Sequence, residues 1–158
     1  MQDATTKTTL SYLNLLRIYE YQQTVKVQAQ AALMSGRVTF SSFREIGLTL
    51  FNRDTMITNW ISSSPVDIVE RYNRIVSDQY DLMRYLTNLE TVLVTYRDGI
   101  RQLPLPAIYS LSFYNDNTTT YNDELKGLQQ YIARKFNKEN DDELRFSTAL
   151  LIVIAVVI

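Results

Sequence analysis

Apolar side chains recur every three or four residues along most of this chain, which is the spacing of helices that bury one face. The first such pattern predicts a helix from about Thr8 to Ser35, and Gly36 directly after it suits a C-terminal cap. A helix of this length gains most of its stability from packing against neighbours along one side. The predicted buried side consists of Leu10, Leu13, Ile18, Tyr21, Val25 and Leu33.

A second helix is predicted to begin near Ser42, where the sequence SFRE (Ser42 to Glu45) matches a capping box. In that motif the serine and glutamate side chains each bond the other residue's backbone N–H. Gly47 weakens this helix because glycine is a poor helix former. The stripe that would face the core consists of Phe43, Ile46, Leu50, Ile57 and Ile61.

The sequence SSSPVD predicts the start of a third helix, with Ser64 as N-cap, Pro65 in the first turn and Asp67 near the positive end of the helix dipole. We expect this helix to continue to about Asp98, where Gly99 helps to end it. Its apolar stripe consists of Val69, Tyr72, Val76, Tyr80, Met83, Leu86 or Tyr85, Leu89 and Leu93.

The two prolines of LPLP (Leu103–Pro106) predict a loop after the third helix. A fourth helix is expected to start between Ile108 and Asp116 and to continue to about Phe136. The polar residues 137–142 predict a break or kink, and a fifth helix would then carry the apolar end of the chain.

These elements predict an all-α fold, an elongated antiparallel bundle of four long helices plus a C-terminal apolar helix. The low counts of Gly (4) and Pro (3) agree with this, since a many-stranded sheet needs more turns. We expect residues 1–142 to form the bundle domain and residues 143–158 to form a separate apolar segment.

The apolar segment has three interpretations. From Phe146 to Ile158 the sequence FSTALLIVIAVVI contains no charge, but a membrane-spanning helix needs about 20 apolar residues. The segment is therefore the start of a membrane span, a buried helix of a soluble domain, or a strand of β-branched residues. A bare apolar end would favour aggregation, so we expect the chain to be a fragment of a longer protein.

Composition excludes several kinds of chemistry. The chain has no Cys and no His, which removes Cys nucleophiles, His-based triads, zinc clusters and disulfides. The acidic run Asp141–Glu143 is typical of a solvated turn, and no Gly-rich phosphate loop is present. The net charge is -1 without a basic tract, which gives no support to nucleic-acid binding. We expect a protein that is not an enzyme and holds no cofactor or metal.

The stretch YQQTVKVQAQAALMSG (Tyr21–Gly36) contains a single charge, Lys26. Gln22, Lys26 and Gln30 are four residues apart and share one face of the predicted helix. A solvated lysine among helix-forming glutamines would explain this pattern. A lysine that faces the bundle interior would instead point to an anionic ligand, because an unpaired buried cation is costly.

Further stretches follow in a fixed order: FNRDTMI supplies Arg53, VTYRDGIRQL supplies Arg97 and Arg101, and SLSFYNDN supplies Phe113, Tyr114 and Asn117. Together with Tyr21–Gly36, they resemble the first part of a nitrate- and nitrite-sensing (NIT) domain from roughly Leu10 to Phe136. The resemblance implies a helical sensor that places Lys26 where the family has an anion-coordinating arginine. A lysine lacks the two-pronged donor geometry of arginine, and Val25 replaces the family's acidic residue.

From this resemblance we predict a ligand-sensing helical bundle of a membrane signalling receptor that responds to a small anion such as nitrate or nitrite. The predicted ligand-binding residues are Gln22, Lys26, Gln30, Arg53 and Arg97. The expected location is at a membrane, through the apolar segment, with the bundle extracellular or periplasmic. By analogy with such sensors, we also expect a homodimer.

The alternative is a non-catalytic helical interaction module, membrane-tethered or secretion-associated, whose partner surface includes Trp60, Tyr80, Met83 and Tyr85. Such aromatic stripes are more often part of the core. One N-glycosylation sequon, Asn117–Thr119, would suit an extracellular loop.

Overall fold

The computed structural model describes residues 4–95, 102–104 and 109–157, and the predicted all-α class is confirmed for them. The elements in chain order are α1 (Ala4–Ser35), β1 (Arg37–Thr39), α2 (Phe40–Ser63), α3 (Val66–Asp78), α4 (Tyr80–Leu93), β2 (Gln102–Pro104) and α5 (Leu111–Val157). The two short strands pair antiparallel, with Val38 opposite Leu103, so part of the predicted LPLP loop is a strand. This pairing connects the α1–α2 turn to the segment that precedes α5.

Helix α1 packs against both α2 and α5. The hydroxyls of Ser11, early in α1, and Ser64, directly after α2, are 2.8 Å apart, so these two helices run antiparallel. At the same end of α1, the Thr5 hydroxyl donates to Glu143 in the second half of α5 at 2.7 Å. The start of α1 therefore lies beside the end of α2 and the later part of α5.

The buried side of α1 differs from the predicted one. Leu10 and Leu13 are 43% and 49% exposed, so the prediction that they lie in the core is wrong. The core-facing stripe lies two residues out of phase with that pair and includes three polar side chains. Its members are Thr8, Ser11, Leu15, Ile18, Gln22, Val25, Ala29 and Ala32.

The turn between α1 and α2 confirms one predicted cap and corrects another. Gly36 has a φ of 68°, which is the left-handed conformation that glycine adopts without strain. Helix α2 begins at Phe40, before the predicted start, and its N-cap is Thr39. The Ser42 hydroxyl accepts from the Thr39 N–H at 2.8 Å, and the Ser42 N–H donates to the Thr39 hydroxyl at 3.2 Å. Ser64 ends α2 instead of capping the third helix.

The predicted third helix is two helices, which meet at Gln79. Ile68 and Ile75 are buried in α3, one residue before the predicted Val69 and Val76, and Tyr80 is 64% exposed. The predicted stripe is therefore one residue out of place at Val69 and Val76 and wrong at Tyr80. Helix α4 ends at Leu93, before the predicted end at Asp98, which itself lies outside the described residues.

Helix α5 has no break at residues 137–142, where one was predicted, and it is helical for 47 residues. At 1.5 Å per residue its length is about 70 Å. The strand interpretation of the apolar segment is therefore wrong. Beyond the bundle, Leu144 and Phe146 are 60% and 72% exposed. Among the described residues, no helix has both the length and the apolarity that a membrane span requires.

The largest buried side chain is Trp60, which is fully inaccessible to solvent. Its indole N–H donates to the backbone oxygen and the hydroxyl of Ser11, each at 2.9 Å, and its ring meets Tyr72 edge-on at 5.3 Å. Trp60 thus joins α1, α2 and α3 in one core, and its predicted place in a partner surface is wrong.

Candidate functional site

The three polar residues on one face of α1 have separate surroundings. Gln22 is buried and Gln30 is half-buried; the Gln30 amide donates to the Asn115 side chain of α5 at 2.7 Å. Lys26 lies between them, half-buried, and forms no hydrogen bond or ion pair with another described residue. It is therefore neither fully solvated nor enclosed in the bundle interior.

Arg53 of α2 is the centre of the strongest polar cluster. Its guanidinium donates to both oxygens of Glu90 on α4, at 2.6 and 2.9 Å. It also donates twice to one oxygen of Asp54, at 2.9 and 2.8 Å, and once to the Gln22 side-chain oxygen, at 2.9 Å. These bonds use all five N–H donors of the guanidinium. We call Gln22, Arg53, Asp54 and Glu90 the arginine clamp; it ties α1, α2 and α4 together.

Burial and charge act in opposite directions on Arg53. Burial by itself lowers the pKa of the guanidinium, but the hydrogen bonds and charges of Glu90 and Asp54 outweigh it and raise the pKa. The side chains of Arg53 and Glu90 are 12% and 16% exposed, so their ion pair is largely removed from water. Asp54 is 62% exposed and marks the side of the clamp that faces solvent. Arg53 therefore keeps its charge at physiological pH.

Two buried tyrosines stand beside the clamp. Burial raises the pKa of Tyr72, and a hydrogen bond with Tyr121 partly opposes this effect. Burial also raises the pKa of Tyr121 well above its usual value, and the bond with Tyr72 adds to the shift. Both hydroxyls are therefore neutral at physiological pH. They supply dipoles to the site and no charge.

A cavity of about 240 Å³ lies where all five helices meet. Helix α1 contributes one lining residue, α2 three, α3 one, α4 four and α5 one, and the arginine clamp forms its polar part. The lining residues are Gln22, Arg53, Asp54, Ile57, Tyr72, Met83, Leu86, Thr87, Glu90 and Tyr121. This cavity brings at least one residue of every helix to one polar site, so we take it as the candidate functional site.

Of the five residues predicted to bind a ligand, the structure brings Gln22 and Arg53 into contact. Gln30 is engaged with α5, Lys26 forms no polar contact within the described chain, and Arg97 lies outside the described residues. Because every Arg53 donor is occupied, an anion would have to displace Glu90 or Asp54 to bind there. The predicted anion site at Arg53 therefore does not have the free donors that it requires.

Sequence reasoning missed Glu90, Tyr72 and Tyr121 as site residues. A signal for Glu90 exists, because it is spaced four and three residues from the buried Leu86 and Leu93 and so shares their side of the helix. An acidic residue at such a position needs a partner inside the fold. The two tyrosines carry no comparable signal, since tyrosine is common in bundle cores.

The glycosylation sequon does not lie in a loop. Asn117 is inside α5, and its side-chain amide donates to the Phe113 backbone oxygen at 2.7 Å. The next residue, Thr118, is fully buried. The folded chain therefore does not present this sequon as an accessible acceptor.

Carboxylates are not gathered into a metal centre: within the described residues there is no group of three or more acidic side chains placed to hold an ion. Polar chemistry thus concentrates in the arginine clamp and its cavity. Comparisons of the chain with protein-family models, with curated proteins and with solved structures find no match.

Proposed function

We propose that this chain is a ligand-sensing helical bundle of a membrane signalling receptor, and that helix α5 carries its output. The observation that carries the proposal is the continuity of α5. One unbroken helix holds Tyr121 at the five-helix cavity and extends through the apolar segment to Val157. The distance along the helix between these points is about 54 Å at 1.5 Å per residue.

A ligand in the cavity would touch every helix of the bundle, α5 included. It would act only through a difference in its affinity for two arrangements of the helices. A small rotation or translation of α5 against α1 is a change that a continuous helix transmits along its length. In this proposal the five helices form one elongated antiparallel bundle, in which α3 and α4 together take the place of the third long helix.

The proposal places the apolar segment at a membrane and the bundle on the extracellular or periplasmic side. The segment from Phe146 to Ile158 has no charge, and α5 leaves the bundle beyond Glu143 with Leu144 and Phe146 exposed. Exposed apolar side chains on a projecting helix favour insertion into lipid. The small anion predicted from the sequence would depend on Lys26. Of the residues predicted to bind it, Lys26 is a cation that forms no polar contact with another described residue.

Vesicle flotation tests the membrane part. The full chain should float with phosphatidylcholine vesicles, and the Ile152→Glu/Val156→Glu variant should remain at the bottom of the gradient. The Leu48→Glu/Phe51→Glu variant is the control, because these exposed side chains of α2 lie outside the apolar segment. Equal behaviour of all three chains would contradict a membrane role of the segment.

Spin labels test the output without any ligand. The chain has no Cys, so Lys7→Cys and Asn140→Cys give two unique labelling sites, both exposed, on α1 and α5. Weakening the clamp with Glu90→Gln should change the distance distribution between these labels. Glu124→Gln, at an exposed position of α5, should leave it unchanged. An identical distribution in the Glu90 variant would refute coupling between the cavity and α5.

An outward stripe of α1 favours a second candidate role, association with a second copy of the chain. These exposed residues repeat at spacings of three and four, as in a helix–helix seam, and are Leu10, Leu13, Arg17, Glu20, Thr24, Val27, Ala31 and Met34. In a parallel symmetric pair with the two α1 helices in register, Arg17 of one copy would lie within one turn of Glu20 of the other, so the charges would be self-complementary.

Sedimentation equilibrium tests this association. The chain should dimerise, Val27→Lys should make it monomeric, and Leu48→Lys on α2 should not. Arg17→Glu should weaken the dimer, and adding Glu20→Arg should restore it, because the charges are then exchanged. A wild-type chain that stays monomeric, or a charge exchange without rescue, would refute the seam.

A further inference from the structure

We infer that the five-helix cavity binds a small organic cation, a primary amine that also carries a hydrogen-bond acceptor, in place of an anion. This inference rests on the proposed sensing function and names its ligand class. It follows from the charges, the free hydrogen-bonding groups and the shape of the cavity.

The charge of the lining favours a cation. Arg53 contributes one positive charge, and Asp54 and Glu90 contribute two negative charges, so the ionisable lining residues sum to -1. The tyrosine hydroxyls are neutral and do not change this sum. The Arg53–Glu90 pair is largely buried, whereas Asp54 is 62% exposed, so the excess negative charge lies on the solvent side of the clamp.

The free hydrogen-bonding groups favour a donor. All five N–H groups of Arg53 are occupied, so an anion gains no guanidinium donor without breaking an existing bond. Each Glu90 oxygen accepts one described bond, and the second oxygen of Asp54 accepts none within the described chain. A carboxylate has about four acceptor sites, so both side chains have capacity for the N–H groups of an ammonium.

Gln22 adds the requirement for an acceptor. Its side chain is 2% exposed and lines the cavity, with its oxygen bonded to Arg53. Its side-chain N–H₂ group donates to no other described residue. A hydroxyl or ether oxygen on the ligand would satisfy this donor while the ammonium meets the carboxylates.

Shape and burial fit a small molecule that enters from solvent. The side chain of Asp54 is 62% exposed and that of Glu90 is 16% exposed. One carboxylate therefore lies at the solvent side of the cavity and the other lies deeper in it. The volume of about 240 Å³ equals about eight water molecules at about 30 Å³ each. Tyr72, Tyr121 and Met83 supply aromatic and polarizable surface, which is favourable for a cation.

Isothermal titration of the full chain with ethanolamine hydrochloride tests the inference, with sodium chloride and potassium nitrate titrated separately at equal ionic strength. Ethanolamine should give saturable heat with one site per chain, and nitrate and chloride should give none that depends on Arg53. Propylamine, which lacks the oxygen, should bind more weakly. No saturable heat from ethanolamine, or saturable heat from nitrate that Arg53→Met abolishes, would overturn the inference.

Two variants assign the site. Glu90→Gln should weaken ethanolamine at least tenfold, and Asp54→Asn should weaken it several-fold. The exposed Asp54 keeps the test valid if the Glu90 variant does not fold. Glu124→Gln, an exposed acid outside this cavity, should bind as wild type. Equal affinity in wild type and Asp54→Asn, or equal losses in all three variants, would contradict binding at the clamp.

The outcome separates this inference from the proposed function. If ethanolamine does not bind but Glu90→Gln changes the spin-label distance, the ligand class is wrong and the coupling stands. If ethanolamine binds and the label distances change neither with ligand nor in the Glu90 variant, the cavity is a binding site without a sensing role.

Discussion

Replacing Arg53 with methionine removes the charge at the centre of the arginine clamp and keeps most of the side-chain volume. Glu90, at 16% exposure, then loses two guanidinium hydrogen bonds, and the buried Gln22 oxygen loses its donor. Asp54 is 62% exposed, so water replaces its lost bonds. The cost therefore arises chiefly from Glu90, a carboxylate left in the interior without its counter-charge.

The magnitude follows from that burial. Removing one partner of a buried ion pair costs about 3–5 kcal/mol, and we expect about 3 kcal/mol because Glu90 keeps some contact with water. Domains of ordinary stability unfold with about 5–15 kcal/mol, so the loss is a large part of the total. At about 2–4 °C per kcal/mol for a chain of this size, the Tm should fall by about 6–12 °C.

Urea unfolding followed by far-ultraviolet circular dichroism measures the effect. Arg134→Met is the matched control, since Arg134 is exposed on α5 and should change the free energy of unfolding by less than about 0.5 kcal/mol. The double variant Arg53→Met/Glu90→Leu removes both charges and should cost about 2 kcal/mol less than the sum of the single changes. The reasoning would be refuted if Arg53→Met lost less than about 1 kcal/mol and the loss in the double variant equalled the sum of the losses in the two single variants. The pair would then be effectively solvated.

Gly36→Ala should lower the free energy of unfolding by about 1 kcal/mol, because alanine is strained at a φ of 68°. Gly127→Ala should raise it by about 0.8 kcal/mol in the same urea assay, since this glycine is helical and an added Cβ meets no atom within 4 Å. Burial by itself raises the pKa of Asp67, but hydrogen bonds from Lys135 and Tyr131 lower it overall; burial by itself lowers the pKa of Lys135, but Asp67 raises it overall. Their contribution should be complete between pH 3.8 and 10.5 and decrease as Asp67 is protonated below that range or Lys135 is deprotonated above it. Both side chains are partly exposed, so Lys135→Met should lower the free energy of unfolding by at most about 1 kcal/mol at pH 7. The variant should also flatten the Tm–pH curve at both ends, and an unchanged curve would contradict this.

Local signals in the sequence predicted the elements better than their ends. The 3–4 spacing and the cap at Gly36 predicted the end of α1 at Ser35, because both depend on neighbours within one turn, but the helix begins at Ala4, before the predicted start at Thr8. No glycine or proline lies next to Gln79, so the sequence contains no signal for the division between α3 and α4. The polar residues 137–142, where a break or kink was predicted, are helical. In both places tertiary context overrides a weak local preference.

The phase of α1 shows why packing was harder to predict. Two stripes of this helix, two residues apart, both have helical spacing and both contain apolar side chains. Periodicity selected Leu10 and Leu13, whereas the core holds Thr8, Ser11 and Gln22. Those polar residues have partners such as Trp60 and Arg53, which lie far away in sequence and are invisible to a local pattern.

The same distinction applies to the candidate site. The sequence by itself determined an all-α chain without Cys or His. It also determined that Lys26 is the only charged residue of the stretch Tyr21–Gly36 and that the apolar segment is uncharged. Only the tertiary structure decided that Arg53 is saturated by Glu90, Asp54 and Gln22, and that a cavity forms where five helices meet. The physical reason is that helix propensity is a local property, whereas the pairing of a buried charge depends on which helices come together across the core.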